Sequence, residues 1–386
     1  MKKNIFKSGG FQSLLASLLC IVLGLFLGYL VLLLINPAGA GEAILTVIKN
    51  FMTYNRPASQ LKYFGNTLVK TAPLLMCALS VLFAYKVGLF NIGAAGQYTL
   101  GAFGALYCAI VLQWPWYLCL LAAMLFGAIW GALPGIFKAY LNINEVITAI
   151  MFNWIGLYMV NDIMYGKGKS PMYDLASTKT YSLRKAAPQA MIPSLGMSEL
   201  FGKLQSVTIA IFIAIFFAII VYVILNKTAF GYELRACGFN KNAARYAGIN
   251  EKRSIILSMI IAGALAGFGA GLYYLSNAAQ WIPGDSTALP SEGFDGISVA
   301  LLASSDPIAA IFSAIFISHI STGGGFMNAS LFPPEIADII SGIIIYLCAF
   351  SLLFKNLIVT LFTGKHKKAP EPAKTDAKKP DGKEAQ

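Results

Sequence analysis

The chain has 386 residues, 57% of them hydrophobic and only 12% charged, with a formal net charge of +12. Soluble domains carry about 25% charged residues, so a chain with half that share is built for an apolar solvent, the lipid bilayer. The basic excess lies between and beyond apolar runs rather than on one soluble face, which points to membrane topology and away from nucleic acid.

A membrane helix consumes about 20 apolar residues, so the length allows about ten spans. Lys2, Lys3 and Lys7 precede an apolar run over 14–35, longer than the core of about 7–15 residues in a signal peptide, and this run reads as a retained first span. Further apolar runs follow at 67–85, 97–112, 116–137, 146–160, 207–225, 255–275, 294–303, 308–320 and 336–354. The segment 293–303 is too short to cross unaided and fits at membrane depth only if its backbone meets protein or a watery cavity. The expected fold is therefore all-α: a polytopic transmembrane helical bundle of about ten spans with broken or short helices. It occupies residues 1–363 as one membrane domain.

Ten spans put three basic regions on one side: the N-terminal lysines, the group Arg235, Lys241, Arg245, Lys252 and Arg253, and Lys365, Lys367 and Lys368. The positive-inside rule makes that side cytoplasmic, so both termini are expected inside. The segment 166–205, with Lys167, Lys169, Arg184 and Lys185, then falls outside; long loops are weakly governed by the rule. Residues 364–386 are Lys, Pro, Ala, Glu and Asp with almost nothing apolar and are expected to form a disordered cytoplasmic tail.

Chemistry-bearing motifs are scarce. Gly168-Lys169-Ser170 ends like a phosphate-binding loop, but Ile163 occupies the required earlier glycine position. His319 and His366 are the only histidines, and no HExxH or GxSxG occurs, so no catalytic residue and no metal site is assigned. Cys20, Cys77, Cys108, Cys119, Cys237 and Cys348 form no CxxC and read as small buried hydrophobes. Energy must come from another subunit or an ion gradient. Gly127, Gly131 and Gly135, and likewise Gly263, Gly267 and Gly271, recur every four residues, marking helix faces where backbones can approach closely.

Residues 88–97, read as Gly-Leu-Phe-Asn-Ile-Gly-Ala-Ala-Gly-Gln, form a glycine-punctuated break between apolar runs. They read either as a turn at the membrane surface or as a broken helix that meets cargo near the midplane. Asn91 and Gln97, with Asn153, are candidate pathway residues. Amides donate and accept hydrogen bonds without holding cargo by charge, although they can equally bond neighbouring helices. Asn144-Glu145, ahead of an apolar helix carrying Asn153, Asn161 and Asp162, reads as an interfacial cap or a relay. The polar stretch 226–253 combines small residues at Ala243, Ala244 and Ala247 with Arg235 and Arg245. It suits either docking into a groove of another protein or lying on anionic lipid.

That stretch resembles the coupling segment of bacterial ABC-importer permeases of the branched-chain amino acid, ribose and nucleoside group, and residues 88–97 are similar to their hallmark GLFNIGxxGQ. Residues 142–147 with Met151 and Asn153, and residues 292–302 with Pro307, resemble the simple-sugar and purine-nucleoside branch. The resemblance spans about residues 66–354; Ala95 departs from it, standing where many relatives have an acidic residue. It implies a multi-pass permease of the bacterial cytoplasmic membrane that moves nucleosides or simple sugars by alternating access. The implied partners are a second, related permease, an extracytoplasmic binding lipoprotein or periplasmic binding protein, and separate ATPase subunits. Those subunits use ATP and Mg, and this chain needs no cofactor and is no enzyme. The coupling contact is then expected at Gly231, Glu233, Arg235, Asn240, Ala243, Ala244 and Gly248, and the substrate pathway at Asn91, Gln97, Asn153 and Asp295. The rival is an ion-driven secondary transporter, for which Lys70, Asp162 and His319 are relay candidates in separate runs.

Overall fold

In lipid a helix satisfies all of its own backbone hydrogen bonds, so long runs of Leu, Ile, Val, Phe and Ala fold as helices there. The computed structural model describes residues 9–283, 288–333, 335–350, 353–354 and 356–357. The lysines at 2, 3 and 7 and the expected tail lie outside the described residues. In chain order, α1 is Gly9–Ile35, α2 Ala40–Lys49, α3 Pro57–Tyr85, α4 Ala94–Ile110, α5 Trp116–Leu141 and α6 Glu145–Tyr165. Two one-turn helices, α7 Leu183–Ala186 and α8 Met197–Leu200, precede α9 Ala210–Lys227. Then come α10 Ala229–Phe239, α11 Lys241–Tyr246, α12 Glu251–Leu275, α13 Ser291–Leu302, α14 Pro307–Gly324 and α15 Glu335–Ala349.

Every one of the ten apolar runs contains a helix. Seven described helices, α1, α3, α5, α6, α9, α12 and α14, are long and apolar enough to cross a membrane. The remaining runs fold as the shorter α4, α13 and α15. On α9, Phe212, Phe216, Ile219 and Val223 repeat along one exposed face, the stripe expected of a span that meets lipid. At 12 residues α13 is about 18 Å long, and it lies among α3, α4, α14 and α15, which give its ends protein rather than lipid to face.

The centre of the bundle is built on bare backbone. The two glycine trios face each other across α5 and α12: a methyl group on Gly127 or Gly131 would collide with the carbonyl oxygen of Gly263 or of Met259. Gly101 of α4 lies against Gly267 in the same way, and Gly269 brings α12 within contact of Pro73 and Met76 on α3. Such approaches maximise dispersion contact between helices, which is what drives association where lipid tails are as apolar as leucine.

An element the apolar runs did not announce is α2. It buries Ala40, Ala43 and Val47, and Gly323 of α14 sits on the Val47 backbone. Beyond it, buried Asn50 donates to Thr67 Oγ1 at 3.1 Å and to the His319 carbonyl at 3.0 Å, while His319 Nε2 lies 2.8 Å from the Ile48 carbonyl. His319 thus pins α2 to α14.

The segment between α6 and α9 is an ordered cap on the end of α12. Its two-residue strands β1, Tyr173–Asp174, and β2, Lys179–Thr180, pair antiparallel. Thr180 N–H donates to the Trp281 carbonyl at 2.8 Å, and Trp281 N–H returns a bond to Thr180 Oγ1 at 3.0 Å. Ile192 N–H reaches the Leu275 carbonyl at 3.0 Å, and the Trp281 indole donates to Asn161 Oδ1 at 2.8 Å.

The α5–α12 crossing leads to a direct expectation. Ordinary overpacking costs about 1–3 kcal/mol, and here the obstacle is backbone that cannot turn aside. Gly127→Val should abolish most monodisperse protein in detergent, or lower its thermal midpoint by well over the shift seen for Gly41→Ala, a site with nothing within 4 Å of a new methyl. Equal midpoints for the two variants would show that the helices do not approach this closely.

Candidate functional site

The break between α3 and α4 is where local sequence and tertiary structure meet. Gly88 adopts φ +78°, a conformation a side chain resists, and this lets the Leu89 N–H turn back to the Ala84 carbonyl at 3.2 Å. The chain then delivers Asn91 into the interior, where it is completely buried. Its Nδ2 donates to Ser80 Oγ of α3 at 2.9 Å and to Gln97 Oε1 at 2.8 Å, and Gln97 Nε2 donates back to Asn91 Oδ1 at 3.1 Å. From α6, Asn153 accepts from the Gly96 N–H at 2.8 Å and donates to the Ile92 carbonyl at 3.0 Å. A side chain at Gly96 would run into Asn153, and one at Gly93 into the Asn91–Gln97 pair.

Three of the four pathway residues expected from sequence therefore converge, and in this conformation their donors and acceptors are spent on each other and on the broken backbone. Asp295 is not part of that cluster. It lies on α13, with Glu292 one turn earlier, within electrostatic range of Lys70 and Asp338. Yet α13 leans on the same break: Gly293 packs on the Ala95 backbone, and Gly296 on Cys77 of α3. Ala95 is fully buried at this contact, a place with room for a methyl group and little more.

On top of the break sits the polar segment. Thr228 caps α10 by accepting from the Gly231 N–H at 3.1 Å, and Gly231 rests on the carbonyls of Ile224 and Leu225, which folds α10 back over the end of α9. Leu234 and Cys237 point inward, and Gly238 touches the Lys86 carbonyl and the backbone of Val87. Asn240 caps α11 through the Ala243 N–H at 3.0 Å, Gly248 turns the chain at φ +83°, and Asn250 caps α12 through the Arg253 N–H at 3.1 Å. Glu233, Arg235, Asn240 and Ala243 are exposed. The expected smooth face needs one correction: Ala244 is buried at 3% exposure, where its backbone carbonyl also takes the Ile249 N–H, so the outward small residues are Ala243 and Ala247. Missing from the sequence reading were Phe239 and Tyr246, 95% and 94% exposed, one ending each short helix. Two large aromatics inside a polar stretch were the available signal.

The same end of the bundle carries the Asn144 cap, which accepts from the Val146 N–H at 2.9 Å, and Glu145 pairs with Lys138 at 2.9 Å, so this pair of residues closes a helix end. The three relay candidates lie apart: His319 is held by α2, Asp162 is exposed near the end of α6, and Lys70 is exposed on α3. No group of three or more His, Cys, Asp or Glu side chains placed to hold a metal occurs among the described residues.

The amino-acid sequence that builds this bundle matches known proteins. Residues 63–349 match the family described as branched-chain amino acid transport system / permease component. The chain belongs to that permease family. It is 33% identical over 377 residues to the nucleoside ABC transporter permease NupB of Lactococcus lactis subsp. cremoris, covering 95% of this chain and 98% of that one. To the guanosine ABC transporter permease NupP of Bacillus subtilis it is 34% identical over 347 residues, covering 88% and 93% of the two chains. A glucose ABC transporter permease of Haloferax volcanii is 27% identical over 320 residues, 80% and 83% of the respective chains. No solved structure matches it.

Interhelical hydrogen bonds in membranes contribute about 0.6 kcal/mol each, so Asn91→Leu, which removes three, should cost about 2 kcal/mol and lower the thermal midpoint of the purified permease by several degrees. Asn153→Leu removes two and should cost less. If either variant keeps its midpoint while uptake falls tenfold, the amides meet cargo directly instead of bracing the break.

Proposed function

We propose that this chain is the membrane-spanning permease of an ATP-driven importer whose cargo is nucleosides, purine nucleosides foremost, with simple sugars as the second choice. Near-complete coverage at 33–34% identity by permeases named for nucleoside and guanosine transport supports this cargo class. The importer works in the cytoplasmic membrane with both termini inside. A second, related permease stands beside it, an extracytoplasmic binding protein meets the 166–208 cap, and ATP with Mg is consumed in separate ATPase subunits docked on α10 and α11.

The observation that carries the coupling reading is the contact of Gly238 with Lys86 and Val87. Because no side chain intervenes, a displacement of α10 reaches the α3–α4 break directly. From there it passes through Gly96 to Asn153 and α6, and through Ala95 to Gly293 and α13. Asn91, Gln97 and Asn153 then act as the brace that both states of the pathway must re-form, and Asp295 faces the route that opens. Ion-pair geometry at an ATPase surface would use Glu233 and Arg235, with Ala243 and Ala247 providing a smooth approach.

Vesicle uptake driven by ATP with ion gradients collapsed tests the whole reading; uptake that needs a gradient and ignores ATP would sink it. Two variants test coupling. Ala243→Trp should weaken ATPase co-purification at least tenfold while leaving the permease inserted. Gly238→Val should retain the ATPase yet lose most cargo-stimulated hydrolysis, because α10 is lifted off the break. Normal transport by both would place the coupling contact elsewhere.

A further inference from the structure

The interior amides at the break are already bonded, so they leave open where cargo is held on its way through. A different set of polar groups surrounds an actual space. Beneath the cap, between α3, α12 and α14, lies a cavity of about 260 Å³. That is close to the lower end of the range of small-molecule pockets, about 300–1,000 Å³. Asn66 and Lys70 stand one turn apart on α3 and so present to the same side. Tyr273 of α12 and Ser321 and Thr322 of α14 form the facing walls, and Ser206 closes the cavity from the cap. Phe326 completes it, fixed in orientation by edge contacts with Tyr54 and Tyr63.

Two features make this a site rather than a packing gap. The Thr322 hydroxyl is buried and has no hydrogen-bond partner among the described residues, although such groups are nearly always satisfied in folded proteins. The lining also gathers six side chains with a polar group, Asn66, Lys70, Ser206, Tyr273, Ser321 and Thr322, in a chain that packs its α5–α12 crossing with glycine. Lys70 is the only acidic or basic side chain in its lining, and Glu292 and Asp295 lie within electrostatic range of it.

We propose that this cavity is a cargo station inside the permease and that it takes a neutral purine nucleoside. Ribose hydroxyls and purine ring nitrogens exchange hydrogen bonds with Asn66, Ser321 and Thr322 and accept them from the Lys70 ammonium. The base lies against the ring of Tyr273 or Phe326. Hydrogen bonds to an uncharged cargo suit a station on a path, which must accept cargo and also release it. The proposal rests on the nucleoside reading above.

The test uses the complete complex of permeases, ATPase and binding protein in lipid nanodiscs, with 8-azidoadenosine as a photoactivatable purine nucleoside. Cross-linked peptides should include Tyr273 or Phe326, and excess adenosine should suppress them. Asn66→Leu and Thr322→Val should each reduce this labelling at least tenfold and raise the half-saturating adenosine concentration for uptake by a similar factor, with the thermal midpoint unchanged. Should a variant fail to assemble, the labelling map of the unaltered complex decides alone. If the unaltered complex takes up no purine nucleoside, the nucleoside reading itself fails and the station with it. If it transports adenosine but labelling is confined to the binding protein, or to permease residues away from these walls, the station is wrong and the nucleoside reading stands.

Discussion

An unpaired amide or peptide group in an apolar interior costs several kcal/mol, so a membrane helix can be interrupted only where other groups take over its hydrogen bonds. Between Tyr85 and Ala94 this chain interrupts one. The freed carbonyl of Ile92 and the N–H of Gly96 are both bonded to Asn153, while Asn91 and Gln97 satisfy each other and Ser80. Once the break is sealed this way, its neighbours follow. The glycines at 93 and 96 leave room for the amides, Ala95 offers a small surface to α13, and Gly88 reverses the chain just beneath α10.

The rest of the bundle extends the same economy of side chains. Gly127, Gly131, Gly263 and Gly267 bring α5 and α12 into backbone contact, and Gly231 and Gly238 do so for α10 against α9 and the break. Packed interiors of this density rearrange between discrete arrangements more readily than they deform continuously. From α10, Gly238 meets the backbone of Lys86 and Val87 at the break, which in turn meets α13 through Gly293 on Ala95 and α6 through the Asn153 side chain. The opposite end is built otherwise: the cap over α12 is held by hydrogen bonds around Thr180, Trp281 and Asn161, and beneath it lies the polar cavity.

Much of this was legible beforehand, for identifiable reasons. Long apolar runs specify helices because lipid leaves the backbone no alternative, and four-residue glycine spacing specifies a bare helix face. The segment 226–253 stood out because a polar stretch with small residues at Ala243, Ala244 and Ala247 and basic ones at Arg235 and Arg245 interrupts an apolar chain. What escaped notice is equally specific. The helix α2 is short and amphipathic, buries only small residues, and owes its place to Asn50 and His319, which are 269 positions apart. Ala244 has the same composition signal as Ala243, and only the turn geometry of α11 decides that one faces in and the other out. The cap looked like a long loop because its anchors, Trp281 and Leu275, lie about 100 and 80 residues further along the chain.

By itself, then, the sequence determined the membrane character of the chain, its all-helical class and the position of the helix break. These follow from solvent, local backbone propensity and short-range spacing, all of which are local in the chain. Only the tertiary structure decided that Asn91, Gln97 and Asn153 meet one another, that Gly238 rests on the break, and that Asn66, Lys70, Tyr273 and Thr322 enclose one cavity. Those outcomes depend on which helix faces meet. That is set by the summed packing of many small residues far apart in sequence, and no single stretch of the chain carries it.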